Sequence, residues 1–146
     1  MFNLDSFALE PELDVLPLSV KSVCDSQFCS VGLMLIGYSL EICLKAMLIM
    51  KSGANGYKEV EKELRHHKLN VLANFIPSLS KKDKAILRLL SLFVYWAGRY
   101  PDPLSGKESE AEEIFTVSER YKISAKDVFT LAARVMGYSY KVANEA

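Results

Sequence analysis

The chain has 146 residues, half of them hydrophobic, and its 18 Lys plus Arg are balanced by 18 Asp plus Glu. That is the length of one domain, which buries roughly two thirds of its unfolded surface. Zero net charge excludes an overall basic field for gathering nucleic acid, leaving only local basic patches open.

Residues 1–17, with Pro11 and Pro17, read as an irregular arm that lacks the basic start of a signal peptide. A long helix is predicted from Ser19, an N-cap residue type, to about Lys51. Val20, Val23, Cys24, Val31, Leu35, Ile42, Ala46 and Ile49 keep a helical period along it. Its length predicts a kink near Ser30–Gly32. The three cysteines, Cys24, Cys29 and Cys43, have no CxxC or Cys/His ligand spacing. They read as reduced core thiols of a cytoplasmic protein. Ser52 to Gly56 ends the helix.

Tyr57 to Arg65 is charged and amphipathic, one short helix. Residues 68–76 place Leu69, Leu72, Ala73 and Ile76 on one face, and Pro77 ends that pattern. Ser80 and Asp83 form a capping box that opens a helix to about Gly98, with Ile86, Leu89, Leu90, Phe93 and Ala97 inward. Ser124 and Asp127 repeat the box before a last helix to about Ala143, carrying Val128, Leu131, Ala132, Val135 and Tyr138. The acidic segment Glu108 to Glu113 and the following Phe115 to Val117 are too short to assign. With no repeat, linker or strand-period segment, the expectation is a single all-α domain over residues 1–146. Its architecture reads as an antiparallel up-and-down bundle of four or five helices.

Glu41 and Lys45 stand four residues apart inside the most apolar stretch, Phe28 to Met50. Near a bilayer centre each would cost roughly 2.5–3.5 kcal/mol, so a buried core helix is expected rather than a membrane span. Their spacing puts them on one helix face in the favourable order, Glu before Lys. Two readings are open: a surface pair, or a polar stripe aimed between helices.

Arg99-Tyr100-Pro101-Asp102-Pro103 follows the Ser80–Gly98 helix. Each proline forces the residue before it out of the helix, and Gly98 is available as a left-handed cap. Arg99, beside Tyr100 and Trp96, either caps the helix end or offers a bidentate donor to phosphate or carboxylate. Adjacent His66 and His67 are no metal signature, and His67 alone reads as a helix-start residue bonded to a neighbouring helix. No Ser/His/Asp pattern, P-loop or dinucleotide fingerprint is present. Any acid–base chemistry must use these two histidines or carboxylates.

In order, Gly37-Tyr-Ser-Leu-Glu41-Ile-Cys-Leu-Lys45, then His67-Lys-Leu, then Arg99-Tyr-Pro resembles the HEPN superfamily over residues 28–145. These are helical domains related to the helical domain of kanamycin nucleotidyltransferase. The resemblance implies one of two roles. Many members are metal-independent ribonucleases, toxins or anti-phage effectors, marked by an Arg with a His four to six residues later. Arg99 takes the place of that Arg, but Leu104, Ser105 and Gly106 stand where the His would fall. The other type is non-catalytic and resembles the substrate-binding or partner subunit of a minimal nucleotidyltransferase.

On that second implication the ligand-binding residues are Glu41, Lys45, His67, Arg99 and Tyr100, with neither catalytic residue nor metal. Arg99 and Lys45 would contact the phosphate of a nucleotide or RNA, Tyr100 would stack on a base, and Glu41 would orient Lys45. A homodimer, a nucleotidyltransferase partner chain and a toxin–antitoxin or phage-defence setting are further implications. The third reading is structural: the same residues form a polar network fixing helix register in a dimeric bundle. Phe93, Tyr95 and Trp96 at one helix end are the expected apolar surface for pairing.

Overall fold

The computed structural model describes residues 18–53, 56–99 and 105–145. The expected arm 1–17, Tyr100 and the Pro101–Pro103 loop lie outside them. So do the side chains of residues 18–29, among them Cys24 and Cys29. The elements are α1 (Leu18–Ser52), α2 (Tyr57–Leu64), α3 (Leu69–Leu72) with a 3₁₀ turn at Ala73–Phe75, α4 (Lys81–Leu92) with a π turn at Phe93–Ala97, α5 (Glu108–Arg120) and α6 (Ala125–Glu145). No strand occurs among the described residues, so the fold is all-α. Among the described residues there are six α-helices where four or five were expected, and α5 is the addition.

The 35-residue α1 runs through Ser30–Gly32 as unbroken helix. It is the hub: α2, α3, α4, the π turn and α6 all pack on it. Leu40, Leu44 and Met47 of α1 are fully buried, and they meet Leu69, Leu72, Leu87 and Leu90 together with Val128, Leu131 and Val135 of α6. Burying a side chain of this size contributes about 1.5–3 kcal/mol.

The inward face of α1 is not the stripe that the sequence period picks out. Leu35 and Ile42 are 57 % and 70 % exposed, and Val31, Ala46 and Ile49 also face solvent. Two apolar stripes run along α1 half a helical turn apart, and period alone cannot rank them. Gly37 does. It lies on the buried stripe, where an added Cβ would come within 2.5 Å of Val94 Cγ2 and 3.2 Å of the Leu90 carbonyl oxygen. The missing side chain lets α1 settle directly on the α4–π turn segment.

Both capping boxes form. Ser80 N–H donates to Asp83 at 2.8 Å and Asp83 N–H donates back to Ser80 Oγ at 3.0 Å. Ser124 N–H donates to Asp127 at 2.8 Å, with the return bond at 3.3 Å. Each box carboxylate also ties α4 to α6: Arg134 reaches Asp83 at 2.7 Å and Lys82 reaches Asp127 at 2.8 Å. Burial pushes the Asp83 carboxyl up, but hydrogen bonds from Arg134 and Ser80 outweigh it and hold the group below its ordinary value. Lys82, then the Ser124 backbone and hydroxyl, hold Asp127 far below the carboxylate range.

Gly98 is not the expected left-handed cap. Its φ is −82°, and its N–H reaches back five residues to the Phe93 carbonyl at 3.0 Å. It is required for a different reason: a Cβ there would collide with Met34 Cβ on α1.

Candidate functional site

The polar stripe of α1 carries Tyr38, Glu41 and Lys45, placed by i,i+3 and i,i+4 spacing on one side of the helix. Glu41 is 5 % exposed although it stands among apolar residues. Its burial is matched by two cationic or donor partners. Lys45 Nζ donates to Oε1 at 2.6 Å, from the next turn of the same helix. His67, on the segment leading into α3, places Nδ1 2.9 Å from both carboxylate oxygens. Facing a carboxylate, Nδ1 carries the proton and donates, which leaves Nε2 as the outer nitrogen. Glu41 thus holds both neighbours. The expected pair of Glu41 and Lys45 is real, and His67 bonds to a neighbouring helix as its position implied.

His67 is held there because α3 is docked from beneath. The Leu69 N–H, an unpaired donor of the first turn, donates to Ser91 Oγ of α4 at 2.8 Å, and Ser91 in turn donates to the Leu87 carbonyl at 2.8 Å. Leu69 and Leu72 are buried. Backbone and side chains together fix α3 on α4, and the imidazole follows.

Arg99 reaches the same stripe from the end of the π turn. Its guanidinium carbon stands 5.6 Å from the centre of the Tyr38 ring, a cation–π contact. Arg99 is exposed. Among the described residues no carboxylate lies within ion-pair distance of it. Since Tyr38 and Glu41 are one helical turn apart, α1 brings Arg99, Lys45, His67 and Glu41 to one side of the bundle. Tyr100 lies outside the described residues. The aromatic partner of Arg99 is Tyr38, which sequence reasoning passed over although it sits three residues before Glu41 on the same stripe.

Trp96 meets Arg99 through the backbone, its carbonyl accepting from the Arg99 N–H at 2.9 Å. It is buried, and its indole N–H donates to Glu110 Oε2 at 2.7 Å. Lys107 donates to Oε1 of the same carboxylate at 2.9 Å and covers the exposed Tyr95 ring at 4.8 Å. One turn on, Arg88 grips Glu113 through two bonds of 3.0 and 3.1 Å. The hydrogen bond from Arg88 holds the Glu113 carboxyl below its ordinary value, against a smaller effect of burial. These contacts fasten α5, which has no fully buried residue. Of Phe93, Tyr95 and Trp96, only Tyr95 is well exposed, so this helix end is not the apolar surface that was expected.

Among the described residues no group of three His, Cys, Asp or Glu side chains is placed to hold a metal ion. An apolar cleft of about 220 Å³ lies between α4, α5 and α6, lined by Ile86, Leu90, Phe93, Ile114 and Val128. A second, of about 180 Å³, lies against Pro77, Arg134 and Tyr138. Neither includes the Glu41 cluster.

No protein-family model, curated protein or solved structure matches this chain. The HEPN resemblance therefore rests on the three motifs alone.

Proposed function

We propose that this chain is a non-catalytic helical binding module that takes the phosphate of a nucleotide at the Tyr38–Lys45–His67–Arg99 face. One observation carries the reading. Arg99 is presented on an aromatic ring, exposed and without a carboxylate partner among the described residues, beside a buried acid that holds a lysine and a histidine. A guanidinium in that state keeps its planar fork of donors for an oxyanion, and Tyr38 offers a ring edge to a base. Glu41 stabilises the Lys45 charge and orients His67, so the ligand meets donors already in place. Following the HEPN resemblance, the module would serve as substrate-binding or partner subunit of a nucleotidyltransferase, within a toxin–antitoxin or phage-defence pair.

The test is calorimetric titration of the full chain with AMP, ADP, ATP and GTP, repeated on Arg99→Ala. At least one nucleotide is expected to bind, and the variant to bind it roughly tenfold more weakly, about 1.4 kcal/mol. Absence of binding by the wild type, or equal binding by the variant, would overturn the reading.

A second reading has its own support. The Glu41–His67 pair is a carboxylate-oriented imidazole with the side chain 46 % exposed, one helical turn along α1 from Tyr38, whose ring Arg99 covers. Metal-independent cleavage of an RNA phosphodiester needs such an acid–base group beside a cation. The His missing after Arg99 would then be replaced in space by His67. Degradation of a bulk RNA by the pure chain, lost in both Arg99→Ala and His67→Ala, would establish it.

A further inference from the structure

We propose that the pocket between the Ile76–Leu79 turn and α6 is a second binding site, one that takes a small aromatic carboxylate. Ile76, Leu79 and Val135 give it an apolar floor continuous with the core, and Tyr138 adds an aromatic ring to the lining. Its volume is about 180 Å³. That exceeds the roughly 150 Å³ in which an apolar cavity holds benzene, and falls short of the roughly 300 Å³ at which pockets for larger ligands begin. One ring with a short acidic arm fits these dimensions. A nucleotide does not.

The polar groups set the charge of the ligand. Arg134 lines the pocket and is about half exposed. It meets Asp83 through Nη2 at 2.7 Å, so Nε and Nη1 have no acceptor among the described residues. Asp83 does not depend on it alone, because the Ser80 N–H also donates to that carboxylate at 2.8 Å. The guanidinium is therefore able to hold a second carboxylate with the donors that Asp83 leaves. Two lysines extend the positive field around it. Lys51 Nζ stands 5.9 Å from the centre of the Phe75 ring and Lys141 Nζ 5.8 Å from that of Tyr138, and the two rings pack 6.4 Å apart. Among the described residues Lys51 has no carboxylate at ion-pair distance, and Lys141 has only Glu145 at 4.0 Å. A cationic ligand would be repelled here, and a neutral ring would leave the guanidinium donors unused.

Ser78 adds an independent sign. It is the third residue of the Ile76-Pro77-Ser78-Leu79 turn, and its φ of 66° lies in the left-handed region. With proline before it, that is the place a glycine takes without strain. The chain keeps a serine there instead. Its side chain lines the pocket, and its hydroxyl makes no hydrogen bond among the described residues. Strain of this kind gathers at ligand clamps. Ser78 on the turn and Arg134 on α6 thus offer a carboxylate two donors from two elements, above an apolar floor that receives the ring.

None of these residues belongs to the Tyr38–Arg99 face, so the two sites stand or fall separately. The experiment is a ¹⁵N–¹H titration of the full chain with phenylacetate, benzyl alcohol and benzylamine, with a melting curve for each variant. Phenylacetate is expected to give saturable shifts at Ser78, Leu79, Val135 and Tyr138, and to bind at least about tenfold more tightly than the other two. That comparison uses the wild type alone and needs no variant to fold. Arg134→Gln should lose the advantage of phenylacetate. Asp83→Asn breaks the same ion pair but keeps the guanidinium, and should bind phenylacetate as tightly as the wild type or more so. Absence of saturable binding, equal binding of the three probes, or equal losses in Arg134→Gln and Asp83→Asn would overturn the proposal. So would shifts centred on Tyr38 and Arg99, which would give the acid to the phosphate face instead.

Discussion

Two carboxylate clusters in this molecule use the same groups for different ends. Around Glu41, a nearly fully buried acid gathers Lys45 and His67 from two elements, in a helix whose stability comes from its apolar neighbours. Around Glu110 and Glu113, half-buried acids bind Trp96, Lys107 and Arg88 and secure α5, which has no fully buried residue. In the second cluster the polar contacts substitute for a core. In the first, the core is already complete, so an acid buried there costs desolvation that the fold does not need. That asymmetry is why the Glu41 cluster, with Arg99 beside it, is the candidate site and the α5 cluster is not.

The largest expected effect comes from removing the buried acid. Glu41→Ala leaves Lys45 and His67 without their acceptor in a partly buried place and should cost about 2–3 kcal/mol in urea unfolding. Glu113→Ala removes a half-buried bidentate pair at the rim of the fold and should cost about 0.5–1 kcal/mol, with faster hydrogen exchange confined to α5. If the order of these two costs were reversed, the contrast between the clusters would be broken.

Acid should act on the fastening carboxylates. Glu113, Asp83 and Asp127 have folded values below their ordinary 4.5, 3.8 and 3.8. A depressed folded value gives stability that is present above the unfolded value and lost as pH falls through the folded one. The melting temperature should therefore hold from about pH 7 to 5 and fall below about pH 4. Asp127→Asn should flatten that acid slope, and an unchanged slope would contradict the assignment. The smallest effect belongs to Lys45→Met, which keeps the stem packed on α1. It should change stability by less than about 1 kcal/mol while weakening nucleotide binding, whereas a purely structural network would show the change in stability or assembly only.

Much of the fold was legible because its signals are local. The Ser80 and Ser124 capping boxes, Pro77 as a stop and the Glu41–Lys45 spacing each depend on residues within four positions, and all appear as read. What depended on distant partners was hidden. α5 has a weak apolar stripe, and the indole hydrogen bond and the ion pair that hold it come from residues 14 and 25 positions earlier. The inner side of α1 was ambiguous because the helix carries two apolar stripes, and only Val94 and Leu90, far along the chain, give Gly37 its meaning. Gly98 beside Pro101 imitates a left-handed cap, yet the close passage of Met34 is what requires it. That His67 reaches Glu41 and Arg99 reaches Tyr38 was not legible in any spacing rule, since both arrive on α1 from distant parts of the chain.

The central claim is that the two clusters differ in kind, one open to a ligand and the other closed upon itself. The most direct measurement is a ¹⁵N–¹H resonance titration of the full chain with ATP, followed at side-chain and backbone positions of both. The predicted result is saturable shifts at Tyr38, Lys45, His67 and Arg99, with Arg88, Glu110 and Glu113 unmoved. Shifts centred on the α5 cluster, or none at the α1 stripe, would contradict it.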